Sequence, residues 1–309
     1  TDAVVNYSIG TGTNTLTFNY TVAAGHTSAD LDYLATTSLF CPAPNPGTTV
    51  YKDTSGNAYG LTVVGNYAYV ADSAYGLAII DISDPMSPGT PVYKDTNDIA
   101  YGVVVDGNYA YVADGDSGLA IIDVSDPTNP GNPVYKDTNK YANNVAVFGN
   151  YAYVADGDSG LAIIDVSDPA NPGTLVYEDT SGSSMDVTIL GNYAYVADGD
   201  SGLAIIDISD PTSPGNPVYM NTTGNAYGVT VVGSYAYVAD NSSGLAIIDV
   251  SDPTSPENPT YKDTNDLAKH ISIFGNYAYV ADGDSGLAII DISDPTSPGS
   301  PVYKNTSGN

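Results

Sequence analysis

The sequence predicts an all-β chain, a six-bladed β-propeller preceded by a short β-rich segment. The octapeptide Gly-Asn-Tyr-Ala-Tyr-Val-Ala-Asp begins at Gly65 and returns at Gly107, Gly149, Gly191, Gly275 and, with Ser234 in place of Asn, at Gly233, on a spacing of 42 residues. A period of about 40 to 45 residues holding several short strands is that of a propeller blade, which cannot cover both faces of its sheet until neighbours stack against it. Six copies imply six blades. The chain also carries 27 Tyr against 4 Phe and no Trp, a bias that suits strands whose rings pack inward while their hydroxyls reach an edge.

Residues 1–40 stand outside the repeat. Segments 4–9, 15–22 and 31–39 alternate apolar and polar side chains, with Gly-Thr-Gly-Thr-Asn and Ala-Ala-Gly-His turns between them, and read as two or three strands. So few strands with one apolar face are not stable alone in water, so they need a partner surface, either the propeller or another molecule. Residues 41–47, Cys-Pro-Ala-Pro-Asn-Pro-Gly, are a stiff, extended linker that separates this segment from the propeller at 48–309. Cys41, the single cysteine, is either an inert thiol or an intermolecular bridge. The first residue is Thr, as in a processed or excised chain.

In the first repeat the expected strands are an outer one at 50–54, an inner one at 59–64, a third at 67–71 and a fourth at 77–82. Both faces of a blade are covered, so both sides of each strand should be apolar. Tyr67 and Tyr69 oppose Ala68 and Val70, while Leu77 and Ile79 oppose Ala78 and Ile80. Large residues on one face and small ones on the other let successive blades interdigitate. Ser83-Asp84-Pro85 and Pro88-Gly89 turn the chain into the next outer strand, where an edge position tolerates Pro.

Two resemblances follow from these residues. Tyr111 to Asp114 and Gly118 to Pro127 are similar to the LVIVD-repeat propellers, which run close to Tyr-Val-Ala-Asp and then Gly-Leu-x-Ile-Ile-Asp-Val-Ser-Asp-Pro; the likeness spans residues 50–303. The position after Leu, often Arg in that family, is Ala in all six copies (Ala78, Ala120, Ala162, Ala204, Ala246, Ala288). The resemblance implies a cell-surface or secreted protein with no shared catalytic residues. Residues 1–40 resemble half of the immunoglobulin-like or cadherin-like repeats of large bacterial surface proteins.

The outer-strand motif occurs at Tyr51, Tyr93, Tyr135, Tyr177, Tyr219, Tyr261 and Tyr303, which gives seven outer strands for six blades. Either the copy at Val50 and Tyr51 or the copy at Val302 and Tyr303 closes the ring. The spare one either frays or docks on a neighbouring molecule by strand addition, and head-to-tail docking that does not close makes a filament.

Asp-Gly-Asp-Ser-Gly recurs at Asp114/Asp116, Asp156/Asp158, Asp198/Asp200 and Asp282/Asp284. It resembles the start of a calcium loop without the third carboxylate or distal Glu, and is equally the chemistry of a tight hairpin turn. Weakly bound calcium is therefore the one cofactor considered. The copies differ most between outer and inner strands. Tyr59, Tyr101 and Tyr227 correspond to Asn143, Met185 and Lys269, while Gly60, Gly102 and Gly228 correspond to Asn144, Asp186 and His270. Asn143, Asn144, Asp186, Lys269 and His270 should ring one mouth of the channel as a candidate ligand face. Sequons at Asn6, Asn19, Asn221, Asn241 and Asn305 are compatible with glycosylation outside the cell.

Seven basic residues, all Lys, face 36 acidic ones for a net charge of -29, which repels phosphate backbones and anionic lipid and so argues against nucleic-acid and membrane partners. No Ser-His-Asp set, metal triad or phosphate loop stands out, so no catalytic residue is assigned. The expectation is a non-enzymatic extracellular subunit of a surface filament joined by strand donation. The alternative is a cell-surface adhesin that binds glycan or cation at the channel face.

Overall fold

The structure, a computed structural model, describes residues 7–9, 17–18 and 50–306. The chain divides between Pro44 and Asn45 into two compact units. In the first, Tyr7–Ile9 pairs antiparallel with Thr17–Phe18, Tyr7 opposite Phe18. The strand expected at 31–39, the linker at 41–47, Cys41, Asn6 and Asn19 lie outside the described residues.

The second unit is six four-stranded antiparallel sheets, each running from an inner strand to an outer one in chain order. Blade 1 comprises Gly60–Val64, Tyr67–Ala71, Leu77–Asp81 and Val92–Lys94. The inner strands of the next four blades are Gly102–Asp106, Asn144–Phe148, Asp186–Leu190 and Gly228–Val232. Blade 6 comprises Ala268–Phe274, Tyr277–Asp282, Leu287–Asp291 and Val302–Lys304. This is the architecture that the period implies.

Register follows from the side-chain alternation. In blade 1 Tyr69 stands opposite Ile79, and Val70 opposite Ala78, so large pairs share one face and small pairs the other. The large face of each blade then meets the small face of the next. Tyr153, Ala155, Leu161 and Ile163 of blade 3 form one buried cluster with Val187, Ala194, Val196, Ala204, Ile206 and Ile208 of blade 4. Equivalent clusters seal the other consecutive seams from blade 1 to blade 6. Each fully buried Leu or Ile there contributes about 1.5–3 kcal/mol. Every one of these five seams also carries an antiparallel bridge, Ser73 to Ala100, Gly115 to Ala142, Gly157 to Ser184, Gly199 to Ala226 and Asn241 to Ala268.

The turn between the second and third strands explains two glycines per repeat. Gly118 has φ of 73°, and a Cβ there would lie 2.6 Å from the Lys136 carbonyl oxygen, so only Gly fits. The preceding turn position is also left-handed, and blades 1 and 5 place Ser73 (φ 56°) and Asn241 (φ 49°) there instead of Gly.

The seam between blade 6 and blade 1 is different. Among the described residues it has no bridge, and Ala68, Val70, Ala78 and Ile80 of blade 1 form a separate small cluster. Leu61 is 64% exposed, whereas Val103, Val145, Val187, Val229 and Ile271 at the same position lie between 3% and 7%. Across the seam Ala281 is exposed and Tyr279 and Leu287 are half-buried, although their counterparts are buried.

The outer strand expected at 50–54 is not a strand. Blade 6 is completed by Val302–Lys304, paired as Ile289 to Val302, Ala288 to Tyr303 and Leu287 to Lys304. Val302 follows the strand it pairs with through the local connection 292–301, while Val50 would have to close a loop around the whole ring; closure costs about 0.6 kcal/mol for each doubling of loop length. Val50 and Tyr51 are left exposed at 39% and 59%.

Candidate functional site

Six carboxylates at the end of the second strands are fully buried: Asp72, Asp114, Asp156, Asp198, Asp240 and Asp282. Each accepts the hydroxyl of a Thr 18 residues earlier, as Thr138 Oγ1 donates to Asp156 Oδ1 at 2.6 Å, and then one or two backbone amides, as Lys140 N–H donates to Asp156 Oδ2 at 3.1 Å. The same set recurs with Thr54 on Asp72 at 2.7 Å, Thr96 on Asp114, Thr180 on Asp198, Thr222 on Asp240 and Thr264 on Asp282 at 2.6 Å. The outer-strand Tyr completes the grip, for Asn139 N–H donates to Tyr177 Oη at 2.7 Å. The chain entering each blade is thus clamped to that blade's own second and outer strands. Burial pushes the carboxyls of Asp114, Asp156, Asp198 and Asp240 up, against the pull of these donors.

In this geometry the oxygens of Asp114, Asp156, Asp198 and Asp282, the first carboxylates of the Asp-Gly-Asp-Ser-Gly turns, are engaged by protein donors as a clamp. The second carboxylates, Asp116, Asp158, Asp200 and Asp284, are exposed at the turn tips. Among the described residues no three His, Cys, Asp or Glu side chains are grouped to hold a metal ion. Sequence reasoning missed the Thr partners and the clamps at Asp72 and Asp240. The signal was present as Thr54, Thr96, Thr138, Thr180, Thr222 and Thr264, 42 residues apart.

The five candidate channel residues separate into two places. Asn144, Asp186 and His270 line the central channel, a cavity of about 190 Å³ bounded also by Gly60 and Gly102. Asn144 Nδ2 donates to Asp186 Oδ1, and the amides of Val187 and Val229 donate to Asp186 Oδ1 and Oδ2 at 2.8 Å. His270 Nε2 lies 4.0 Å from Asp186 Oδ2, its side chain 58% exposed. Burial raises the Asp186 carboxyl above its ordinary value, and the nearby His270 opposes this. Gly102 must stay small, since a Cβ there would lie 2.5 Å from Asn144 Oδ1.

Asn143 and Lys269, one residue earlier, belong to the outer face. Asn143 Nδ2 donates to the Ser184 carbonyl at 2.9 Å, and Lys269 Nζ sits 4.2 Å above the Tyr227 ring. Two adjoining cavities open there, of about 540 and 370 Å³, sharing Asp158, Ser183 and Met185 in their linings. Together they form a polar trough over blades 2 to 5, with Tyr141 in one lining and Tyr227 in the other. Tyr59 stacks on Tyr101 at 4.9 Å, and the Tyr101 and Tyr141 hydroxyls are 3.0 Å apart. Of the sequons, Asn221 and Asn305 are exposed and Asn241 is half-buried, its Oδ1 without a hydrogen-bond partner among the described residues.

Fold and clamps together define a repeat protein of the six-bladed β-propeller class. The chain belongs to the LVIVD repeat family, whose pattern matches residues 55–92, 99–133, 139–178, 181–222, 223–259 and 267–301, one match per blade. The fold is similar to the crystal structure of a functionally unknown protein from Desulfotomaculum acetoxidans DSM 771, with a TM-score of 0.67 and 13% identity over 82% of this chain and 87% of that one. It is also similar to the computationally designed Ika8 protein, with a TM-score of 0.60 and 11% identity over 78% and 73% of the two chains. At such identities the likeness is one of fold. No curated protein matches the sequence.

Proposed function

We propose that the protein is a non-enzymatic, extracellular interaction protein, a subunit of a surface filament whose copies join head to tail by β-strand donation. The observation that supports this most is the state of its two terminal octapeptides. Residues 50–57 read Val-Tyr-Lys-Asp-Thr-Ser-Gly-Asn and residues 302–309 read Val-Tyr-Lys-Asn-Thr-Ser-Gly-Asn.

Internal copies of this segment serve two blades. Val92–Lys94 completes blade 1 by pairing with Leu77–Ile79, and Thr96 enters the Asp114 clamp of blade 2. The terminal copies each do half of this. Thr54 holds the Asp72 clamp while Val50 and Tyr51 stay exposed; Val302–Lys304 completes blade 6 while Thr306 is exposed. If residues 50–52 of one copy take the place of 302–304 on blade 6 of the next, one octapeptide again splices two blades, now between molecules. The side-chain contacts exchanged are the same Val, Tyr and Lys, so the exchange is close to neutral in contact energy and is governed by concentration. A joint of this kind does not close and propagates as a filament. The exposed Leu61 at the open seam would gain cover in it.

Removing residues 302–309 vacates the blade 6 edge. Light scattering and negative-stain microscopy should then show more and longer filaments than the full chain gives. Removing residues 1–52 as well should return the protein to single discs. A chain truncated at 301 that stays monomeric at high concentration overturns the proposal.

A further inference from the structure

The trough over blades 2 to 5 plays no part in the filament joint. We propose that it binds a neutral oligosaccharide. Its volume suits a few sugar rings, since small-ligand sites run to about 300–1,000 Å³. Tyr141 and Tyr227 stand in its two linings, and a pyranose offers the complement to this layout, an apolar C–H face for a ring and a rim of hydroxyls for polar groups.

The aromatic groups are held before any ligand arrives. The hydroxyl contact at 3.0 Å ties Tyr141 to Tyr101, which in turn stacks on Tyr59, and Lys269 covers one face of Tyr227. Preorganised rings lose little entropy on binding.

Charge selects the class of sugar. Asp116, Asp158 and Asp200 are exposed carboxylates spaced one per blade along the trough. Ionised carboxylates only accept hydrogen bonds, so they fit hydroxyl donors and repel uronic, sialic or sulfated residues. Donors are present too, in the Asn139 and Asn225 side chains and Lys140. An ammonium ligand cannot use donors, whereas a hydroxyl is served by both kinds of group. One carboxylate per blade also gives a repeating host for a repeating polymer.

The full chain is tested on an array of neutral hexose and pentose oligomers of six units alongside sialylated, sulfated and glucosaminyl ones, and the best neutral binder is then titrated by calorimetry. The expected result is retention of neutral oligomers. Tyr141→Ala and Asp158→Ala should each weaken it about tenfold with an unchanged melting temperature. Asp284→Ala, the matching turn carboxylate on blade 6, should leave affinity as it was. No neutral oligomer bound at millimolar concentration, affinity in both trough variants unchanged from that of the unsubstituted chain, or retention of charged oligomers alone overturns the proposal.

Discussion

The seam between blades 3 and 4 and the seam between blades 6 and 1 are written in the same side-chain code yet end in different states. At the first, a Tyr-Ala-Leu-Ile face meets an Ala-Val-Ile face, a bridge joins Gly157 to Ser184, and the connecting chain is covalent. At the second, Leu61 stands 64% exposed and the bridge is absent among the described residues. The side chains specify which faces fit, and the linking segment brings them together. Each covalent link supplies the next face at high effective concentration, a help that the ring's two ends lack.

Six substitutions and a pH profile sharpen this contrast. The largest effect belongs to the clamps: Asp156→Ala takes the carboxylate acceptor from Thr138 Oγ1 and the Lys140 amide and should cost about 3 kcal/mol by denaturant unfolding. Asp72→Ala, whose partner Thr54 is half-buried at the open seam, should cost clearly less. Next, Ile271→Ala at a sealed seam should lower stability by about 2–4 kcal/mol. Leu61→Ala at the equivalent open position should change the monomer by less than about 0.5 kcal/mol and should weaken assembly instead.

The pH profile tests the buried carboxyls as a set. Those of Asp114, Asp156, Asp186, Asp198 and Asp240 are raised in the fold by burial. The folded state then holds more protons than the unfolded one between the ordinary carboxyl value and the raised ones, so stability rises as pH falls through that window. Below it the turn carboxylates take over: Asp81, Asp123 and Asp207 are held low by the Ser two residues on, and their contribution is lost as they protonate. Melting temperature should therefore peak in mild acid, and a profile that falls steadily from neutral pH would contradict the burial account. A small effect of the opposite sign is expected at the turns, where Ser73→Gly and Asn241→Gly should each stabilise by about 0.5–1 kcal/mol by relieving a left-handed backbone.

Much of the fold was legible because a 42-residue period with turn chemistry at fixed offsets admits few architectures. Alternation alone put Tyr67 and Tyr69 on the opposite side from Ala68 and Val70, and Leu77 and Ile79 on the opposite side from Ala78 and Ile80; the pairing of Tyr69 with Ile79 and Val70 with Ala78 came from the structure. What failed has physical reasons. Residues 50–54 match 302–306 except for Asp53 against Asn305, but a strand needs an edge, and the later copy holds it. Asn143 and Asn144 were read as one patch; successive strand residues point to opposite sides, so one lines the trough and the other the channel. At the acidic turns the sequence shows carboxylates without their donors. The Thr hydroxyls that occupy Asp114 and Asp156 come from 18 residues away, beyond any local motif.

The most direct test of exchange at the open edge is backbone hydrogen exchange on a chain ending at Pro301, followed at Leu287–Asp291 across a range of protein concentrations. If another molecule's residues 50–52 fill the vacated edge, protection of this strand should be weak when dilute and rise steeply with concentration, and it should stay weak in a chain that also lacks residues 1–52. Protection independent of concentration, or identical in both truncated chains, would contradict the account.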